Sequence, residues 1–394
     1  MNVAIEQQSA FFNWKENKIV SLLFVGFVLH ILSLFSPLSN KAVNNVFYIG
    51  VMFPALLLTR WSDIKALFSS NLVKIATLYG FITSLMMAIT LDANKIKYVA
   101  YFLSFVLAFY HLSKFKLLKP QIVAFTIALF VLTYAVIQLL IFYFGYDNPI
   151  YRRPWFSGWQ LFTPSYFTAY ISVASTTAAY YLLVRKSPVL FFMLVTLVGA
   201  LFVITQTRMG LLGVLLSMPF FLWLSFKQGV LSISVKFVLT VLIFSVLISA
   251  LYLAGVFDVL TVRGESYRLL IAKTAWTEGM NCNALVGCGY AHDFALDIGS
   301  RILITEHSSY SNQALRSGLI GVILLAAVII GTVRAGCRIK SPWVLSFVAG
   351  CGCLLVEGQS LMAQPRAFTQ LIFWFPFCMV VMAELEDRRK DQKA

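Results

Sequence analysis

Charge is what this sequence has least of. Asp, Glu, Lys and Arg make up only 12% of its 394 residues, and acids are the scarcer half, 16 against 31 basic residues, with just four histidines. So few carboxylates form no acidic cluster for Mg²⁺ or Ca²⁺. No glycine-rich loop ends in Lys-Ser or Lys-Thr, which excludes a P-loop nucleotide site, and no His-Glu-x-x-His is present for a zinc protease. No Gly-x-Ser-x-Gly elbow supports a serine hydrolase. The six cysteines lack the spacing of a zinc site with a nearby histidine. No fixed-period repeat or low-complexity tract occurs. The net charge of +15 is not a nucleic-acid footprint, because no basic patch interleaves with aromatics on a soluble face. The expected chemistry therefore uses no metal, no cofactor and no nucleic acid.

Apolar residues fill the space that charge leaves. The chain is 60% hydrophobic with mean hydropathy +0.82, far beyond what a soluble core needs. Windows of about 17–25 apolar residues recur, long enough for a hydrocarbon core of ~30 Å. Twelve are predicted, over 19–37, 44–59, 72–91, 97–113, 121–145, 165–184, 188–205, 209–226, 231–256, 313–333, 342–357 and 369–385. Backbone groups in lipid must be satisfied internally, and the short alternating strands of a barrel are absent. The fold class is thus all-α, a single polytopic membrane domain over 1–394 with about 12 helices and one large outer loop, 257–312.

Lys and Arg set the orientation. With the N-terminus inside, 19 basic and 7 acidic residues fall on the inner side, net +12, and 12 and 9 on the outer side, net +3. Both termini are then cytoplasmic and 257–312 lies outside. The first helix reads as a retained anchor, since no small-residue cleavage site precedes a short apolar core. Cys337, Cys351, Cys353 and Cys378 lie in or near helices as packing residues. Cys282 and Cys288 lie in the outer loop, where a disulfide is permitted. Their spacing alone leaves the pairing open.

Two outer segments stand out. In 146–164, Pro149, Pro154, Trp155 and Trp159 suit a loop at the headgroup level. In 257–312, residues 267–276 read as an amphipathic helix with Leu269, Ala272 and Trp276 on one face. Gly279, Gly287 and Gly289 then break regular structure. A second helix is expected from near His307 through Ala314 and Leu315 into the tenth membrane helix.

Few titratable groups occupy this outer mouth. His307 precedes a predicted helix start, where the positive end of the macrodipole disfavours imidazolium. The ring is then neutral near pH 7 and able to accept a proton, with Glu306 opposing that effect. A surface or packing role is the plainer alternative. Arg208 sits between two apolar runs at the outer boundary. Arginine gives phosphate a planar, bidentate grip there, or it simply snorkels. Arg263 and Arg268 precede the amphipathic helix, and Arg268 is the better placed. Arg152, Arg153, Arg301 and Arg316 add to the outer positive field, with no individual role legible.

At these residues the chain resembles the O-antigen ligase and polymerase superfamily of bacterial inner-membrane proteins. The resemblance is carried by Thr205-Gln206-Thr207-Arg208-Met209-Gly210-Leu211-Leu212, by Arg268 with Ala272 and Trp276, by Gly287-x-Gly289-Tyr290, and by His307-Ser308-Ser309-Tyr310 followed by Gly318-Leu319-Ile320-Gly321. It covers roughly 165–335, and it departs from the common pattern in placing Arg316 and Ser317 where many members have an acid. The resemblance implies a multi-pass, GT-C-like glycosyltransferase of the inner membrane, with its active site on the periplasmic face. Such an enzyme takes a glycan from undecaprenyl pyrophosphate without metal or nucleotide sugar. In the ligases the acceptor is a sugar hydroxyl of lipid A–core. By the same resemblance His307 is the catalytic residue, and Arg208 and Arg268, with Arg263 beside them, hold the donor pyrophosphate. An O-antigen ligase is the expected function. The polymerase, which joins lipid-linked repeat units, is the alternative. A secondary transporter is the third reading. It would show paired half-repeats with broken helices and mid-membrane charge, with His30 or Glu357 as proton carrier.

Overall fold

The computed structural model describes residues 2–149, 154, 164–230, 267–297, 299, 302–304, 308–356 and 360–391. The predicted ninth span, 231–256, lies outside the described residues, as does most of 150–163. The elements run α1 Asn2–Leu34, α2 Asn40–Leu58, α3 Trp61–Leu67, α4 Asn71–Thr90, α5 Ala93–Lys114, α6 Pro120–Gly145 and α7 Pro164–Val184. They continue with α8 Pro188–Thr205, α9 Arg208–Lys227, α10 Arg268–Asn283, α11 Ser309–Arg338, α12 Trp343–Leu354 and α13 over 370–391. A two-residue hairpin pairs β1, Leu296–Asp297, antiparallel to β2, Ile302–Leu303.

Eight of the described helices are long and apolar enough to cross a membrane. Their outward side chains are large and apolar, with Ile49 70%, Leu129 70%, Val189 69% and Ile89 75% exposed. Such a surface belongs in lipid, where an apolar face needs no covering. The chain is an all-α polytopic membrane protein. Inside the bundle, α7 is central and packs on α6, α8, α9 and α12. Small residues on α7, including Ala169, Ser172, Ala174 and Ala178, let the neighbouring backbones approach. Gly350 of α12 lies against the Ile372 carbonyl of α13, leaving no room for a Cβ.

Local sequence explains the helix ends. At one end of the bundle, which we call lower, three turns share a pattern: helix, a lysine in the left-handed region, then proline. Lys116, Lys186 and Lys340 have φ of 58°, 55° and 52°. Pro120 and Pro188 then open α6 and α8, and Pro342 caps α12. A left-handed residue ends a helix, and proline at the first helical position sacrifices no hydrogen bond. The lysines also complement the negative helix ends. The same end holds two buried carboxylates. Glu384 accepts hydrogen bonds from Arg338 at 2.9 Å, Arg388 at 2.8 Å and Ser70 at 2.8 Å. Asp63 pairs with Lys114 at 2.9 Å. Burial pushes the Asp63 carboxyl up, but the Lys114 ammonium and the Arg60 N–H outweigh it and hold the group below its usual range.

Two expectations are corrected here. The predicted eleventh span, 342–357, stops at Leu354, and 12 residues reach only ~18 Å. Residues 360–368 that follow are irregular, in addition to the two irregular segments expected from the sequence. Leu361, Met362 and Phe368 are buried at 1%, 2% and 1% exposure, and Trp374 Nε1 donates to the Leu361 carbonyl at 2.7 Å. Irregular backbone at this depth is tolerated because protein surrounds it. The second correction concerns α10, which is longer than 267–276 and buries a different face. Ile271, Ala275 and Gly279 face inward, whereas Leu269 is 87% and Trp276 40% exposed.

Replacing Gly350 by valine should lower stability by about 1–3 kcal/mol, because the α12–α13 approach cannot open without shifting both helices. Gly199→Ala, where nothing lies within 4 Å of the added Cβ, should leave stability unchanged or slightly raised. Thermal unfolding of both variants in one detergent is the check, and equal melting curves would contradict this packing.

Candidate functional site

The upper end of the bundle collects the groups that the sequence singled out. Arg208 comes first. Gln206 takes the left-handed conformation with φ 49° and ends α8, and the extended Thr207 caps α9. Arg208 is therefore the first helical residue of α9, and it is exposed. Its neighbours are buried and hold it there. Thr207 Oγ1 donates to Thr168 Oγ1 at 2.8 Å, and Ser172 Oγ donates to the Gly210 carbonyl at 2.6 Å. A Cβ on Gly210 would meet the Thr168 carbonyl at 2.7 Å. The run from Thr205 to Gly210 is thus a close contact with α7 that projects one guanidinium beyond it.

Arg268 has the same local setting. Tyr267 is left-handed with φ 50°, and Arg268 is the first residue of α10, partly exposed. Both arginines stand at helix N-termini, where backbone N–H groups and the macrodipole already favour an anion. α10 packs on α11, α11 on α12, and α12 on α9. Tyr310 Oη donates to the Cys351 carbonyl at 2.8 Å, joining the start of α11 to α12. The two arginine-headed helices thus belong to one run of packed helices, α10 on α11, α11 on α12 and α12 on α9. His307 and Arg263 lie outside the described residues, as do Glu306, Glu357, Arg152, Arg153 and Arg301. The helix start expected after His307 is found: Ser308 is the N-cap and Ser309 the first helical residue of α11.

α11 is broken, which the sequence did not disclose. Gly318 has φ 56° and ψ −155°, a conformation essentially reserved for glycine. The outer loop fills the break. Cys288 N–H donates to the Leu315 carbonyl at 2.7 Å, while Leu319 N–H and Ile320 N–H donate to the carbonyls of Ala284 at 2.9 Å and Leu285 at 3.1 Å. Gly287 makes this approach possible, since a Cβ there would lie 2.5 Å from the Leu315 carbonyl oxygen. The motifs around Gly287 and Gly318 are therefore two halves of one backbone exchange. Cys282 and Cys288 form a disulfide across this loop.

Around the exchange lies a polar cluster that sequence reasoning missed. Arg316, read as one contributor to a diffuse outer field, is half-buried and donates to the carbonyls of Tyr290 and His292. His292 Nε2 meets Glu278 Oε1 at 2.6 Å. Tyr290 N–H donates to Thr90 Oγ1 at 3.0 Å, and its hydroxyl shares a 3.2 Å hydrogen bond with Ser317. Gln313 Nε2 donates to Ser317 Oγ at 2.8 Å, and Gln313 Oε1 accepts from Tyr79 Oη at 2.9 Å. Burial raises the Tyr290 phenol above its usual range, opposed by Ser317, Ser360 and Arg316. The part of the cluster that joins Tyr79, Gln313, Ser317 and Tyr290 is built of hydroxyls and one amide, which orient one another. A helical spacing of four, Gln313 to Ser317, was the one sequence signal for it. The ligand atoms of Cys282, Cys288 and His292 lie within 4.8 Å of one another. In the disulfide neither sulfur is a thiolate, the form that ligates a metal.

No protein-family model matches this chain, and no curated protein is significantly similar to it in sequence.

Two changes probe the exchange. Gly318→Ala should cost about 2 kcal/mol or more, since alanine cannot adopt that backbone without strain, and should raise amide exchange at Cys288, Leu319 and Ile320. Protection at those three amides equal to wild type would contradict the assignment. The double replacement of Cys282 and Cys288 by serine should cost about 2 kcal/mol from the short closed loop. Non-reducing peptide mapping should recover the two cysteines in one linked fragment.

Proposed function

We propose that this protein is a metal-independent membrane glycosyltransferase, an O-antigen ligase. It would move a glycan from undecaprenyl pyrophosphate to a sugar hydroxyl of lipid A–core on the periplasmic face of a bacterial inner membrane. One observation carries the reading: the two arginines expected at the donor pyrophosphate, Arg208 and Arg268, each open a helix at the same end of the bundle. A pyrophosphate there meets a guanidinium fork and a helix N-terminus from either side. Its charge grows as the glycosidic bond breaks, and fixed donors stabilise that charge without a metal. The acceptor hydroxyl loses its proton as it attacks. His307 precedes Ser308, the N-cap of α11, in the sequence and would serve as the base. Arg263, close in sequence to Arg268, adds to the anion field. The polymerase reading uses the same donor chemistry with a second lipid-linked unit as acceptor.

The break in α11 favours one other reading, a secondary transporter, because discontinuous helices mark transporter binding sites. Against it, Asp63 and Glu384 lie at the opposite end, each held by basic partners. His30 is fully buried beside Phe47.

The test is purified protein in lipid with an undecaprenyl-pyrophosphate glycan and lipid A–core acceptor, scored for donor binding and for transfer. His307→Ala should lose transfer by ~10²-fold or more while donor binding persists. Arg208→Ala and Arg268→Ala should lose both, and lysine at either position should restore only part, for want of the forked contact. Wild-type transfer by His307→Ala would remove the base from the mechanism. Gene deletion separates the two acceptors: loss of all attached O-antigen means ligase, and one repeat unit on the core means polymerase.

A further inference from the structure

The lower end of the bundle carries a second charged site, unrelated to the arginines of the upper end. A cleft of about 810 Å³ opens between α3, the end of α11 and the end of α13, lined by Lys65, Ser69, Arg338, Asp387, Arg388 and Arg389 among others. Arg338 and Arg388 share a single carboxylate, Glu384. Lys65 and Arg389 have no carboxylate partner among the described residues. Each instead lies against an aromatic ring, Lys65 over Trp61 at 5.9 Å and Arg389 over Tyr110 at 5.5 Å. Among the described residues four basic groups therefore face three acids, Glu384, Asp387 and Asp391, a surplus of one positive charge.

We infer that this cleft binds the phosphodiester of an anionic membrane lipid. Three observations fix the chemistry. The surplus of one matches a phosphodiester, which carries one charge, and not orthophosphate or a nucleotide, which carry about two or more. The walls are the ends of membrane helices, so the cleft stands at headgroup depth. α3, which forms one wall, is a seven-residue helix between two spans, and it carries Trp61 68% exposed beside Lys65. An exposed tryptophan next to a lysine is the side-chain pair of a membrane interface, ring among the headgroups and ammonium toward phosphate. Basic pockets between helix ends are suited to such headgroups. Glu384 keeps Arg338 and Arg388 in place, and Lys65 and Arg389 close on the phosphate from either side.

The experiment uses the full-length protein in detergent micelles with phosphatidylglycerol or phosphatidylcholine added, read by native mass spectrometry. Wild-type protein should retain phosphatidylglycerol and shed phosphatidylcholine. The double variant Lys65→Gln, Arg389→Gln should bind phosphatidylglycerol roughly ten- to thirtyfold more weakly, from about fivefold for each basic group near an anionic headgroup. Asp387→Asn, which raises the surplus and breaks no hydrogen bond among the described residues, should bind it more tightly. It keeps the test decisive if the double variant fails to fold. Equal retention by wild type and both variants would overturn the site. So would variant-sensitive saturation by inorganic phosphate at the same concentrations, which would make it a soluble-anion site.

Discussion

The upper half of this protein depends on one backbone exchange. A helix that stops inside a bundle leaves unpaired carbonyls at one end and unpaired N–H groups at the other. In lipid each would cost several kcal/mol. At Gly318 both sets are met by one short loop: Cys288 serves the carbonyl of Leu315, and Ala284 and Leu285 serve the amides of Leu319 and Ile320. Only glycine at 287 and 318 lets the two chains come this close. The disulfide closes the same loop. Once the exchange is made, the first turns of α11, from Ser309 onward, are fixed in direction.

The break also divides α11 by function. The portion over 319–338 has 20 residues, ~30 Å of helix, which is one hydrocarbon thickness. The portion before it is free to lie where the upper groups need it. Its polar residues do not face lipid: Gln313 and Ser317 turn into the network with Tyr79 and Tyr290, and Arg316 donates to carbonyls of the 290–292 turn segment. α10 and α11 are thereby held as one unit. The two guanidiniums at the head of α9 and α10 then belong to separate, rigidly seated helices, a good arrangement for gripping an extended anion from two sides.

The two ends of the bundle handle charge in opposite ways. At the lower end the carboxylates are buried and matched, Asp63 by Lys114 and Glu384 by two arginines. Matching makes the burial tolerable, since a lone buried carboxylate would be far costlier. At the upper end the arginines head helices whose dipoles add to their charge. The buried pairs of the lower end clamp helices together, whereas the arginines of the upper end stand at helix starts and are at least partly exposed.

Much of this was legible in the sequence. Apolar windows locate helices because a membrane fixes their length. Arg208 was legible as a residue between two apolar runs, and the helix expected near His307 begins at Ser309. What the sequence hid has a common physical cause. In a bundle surrounded by lipid, inward and outward faces are both apolar, so periodicity does not say which side of α10 is buried; Ile271, Ala275 and Gly279 were chosen by their fit to the backbone of α11. Nor does local pattern show that α12 stops short, because the buried residues 361–368 that complete its path are irregular. Among the partners of Arg316, Glu384 and Tyr290 are His292, Ser70 and Thr90, which lie 24, 314 and 200 residues away. The sequence by itself determined the class, an all-α membrane protein, and the approximate position of most of its described helices. Only the tertiary structure decided which of those helices meet, because that depends on where glycine lets one backbone touch another.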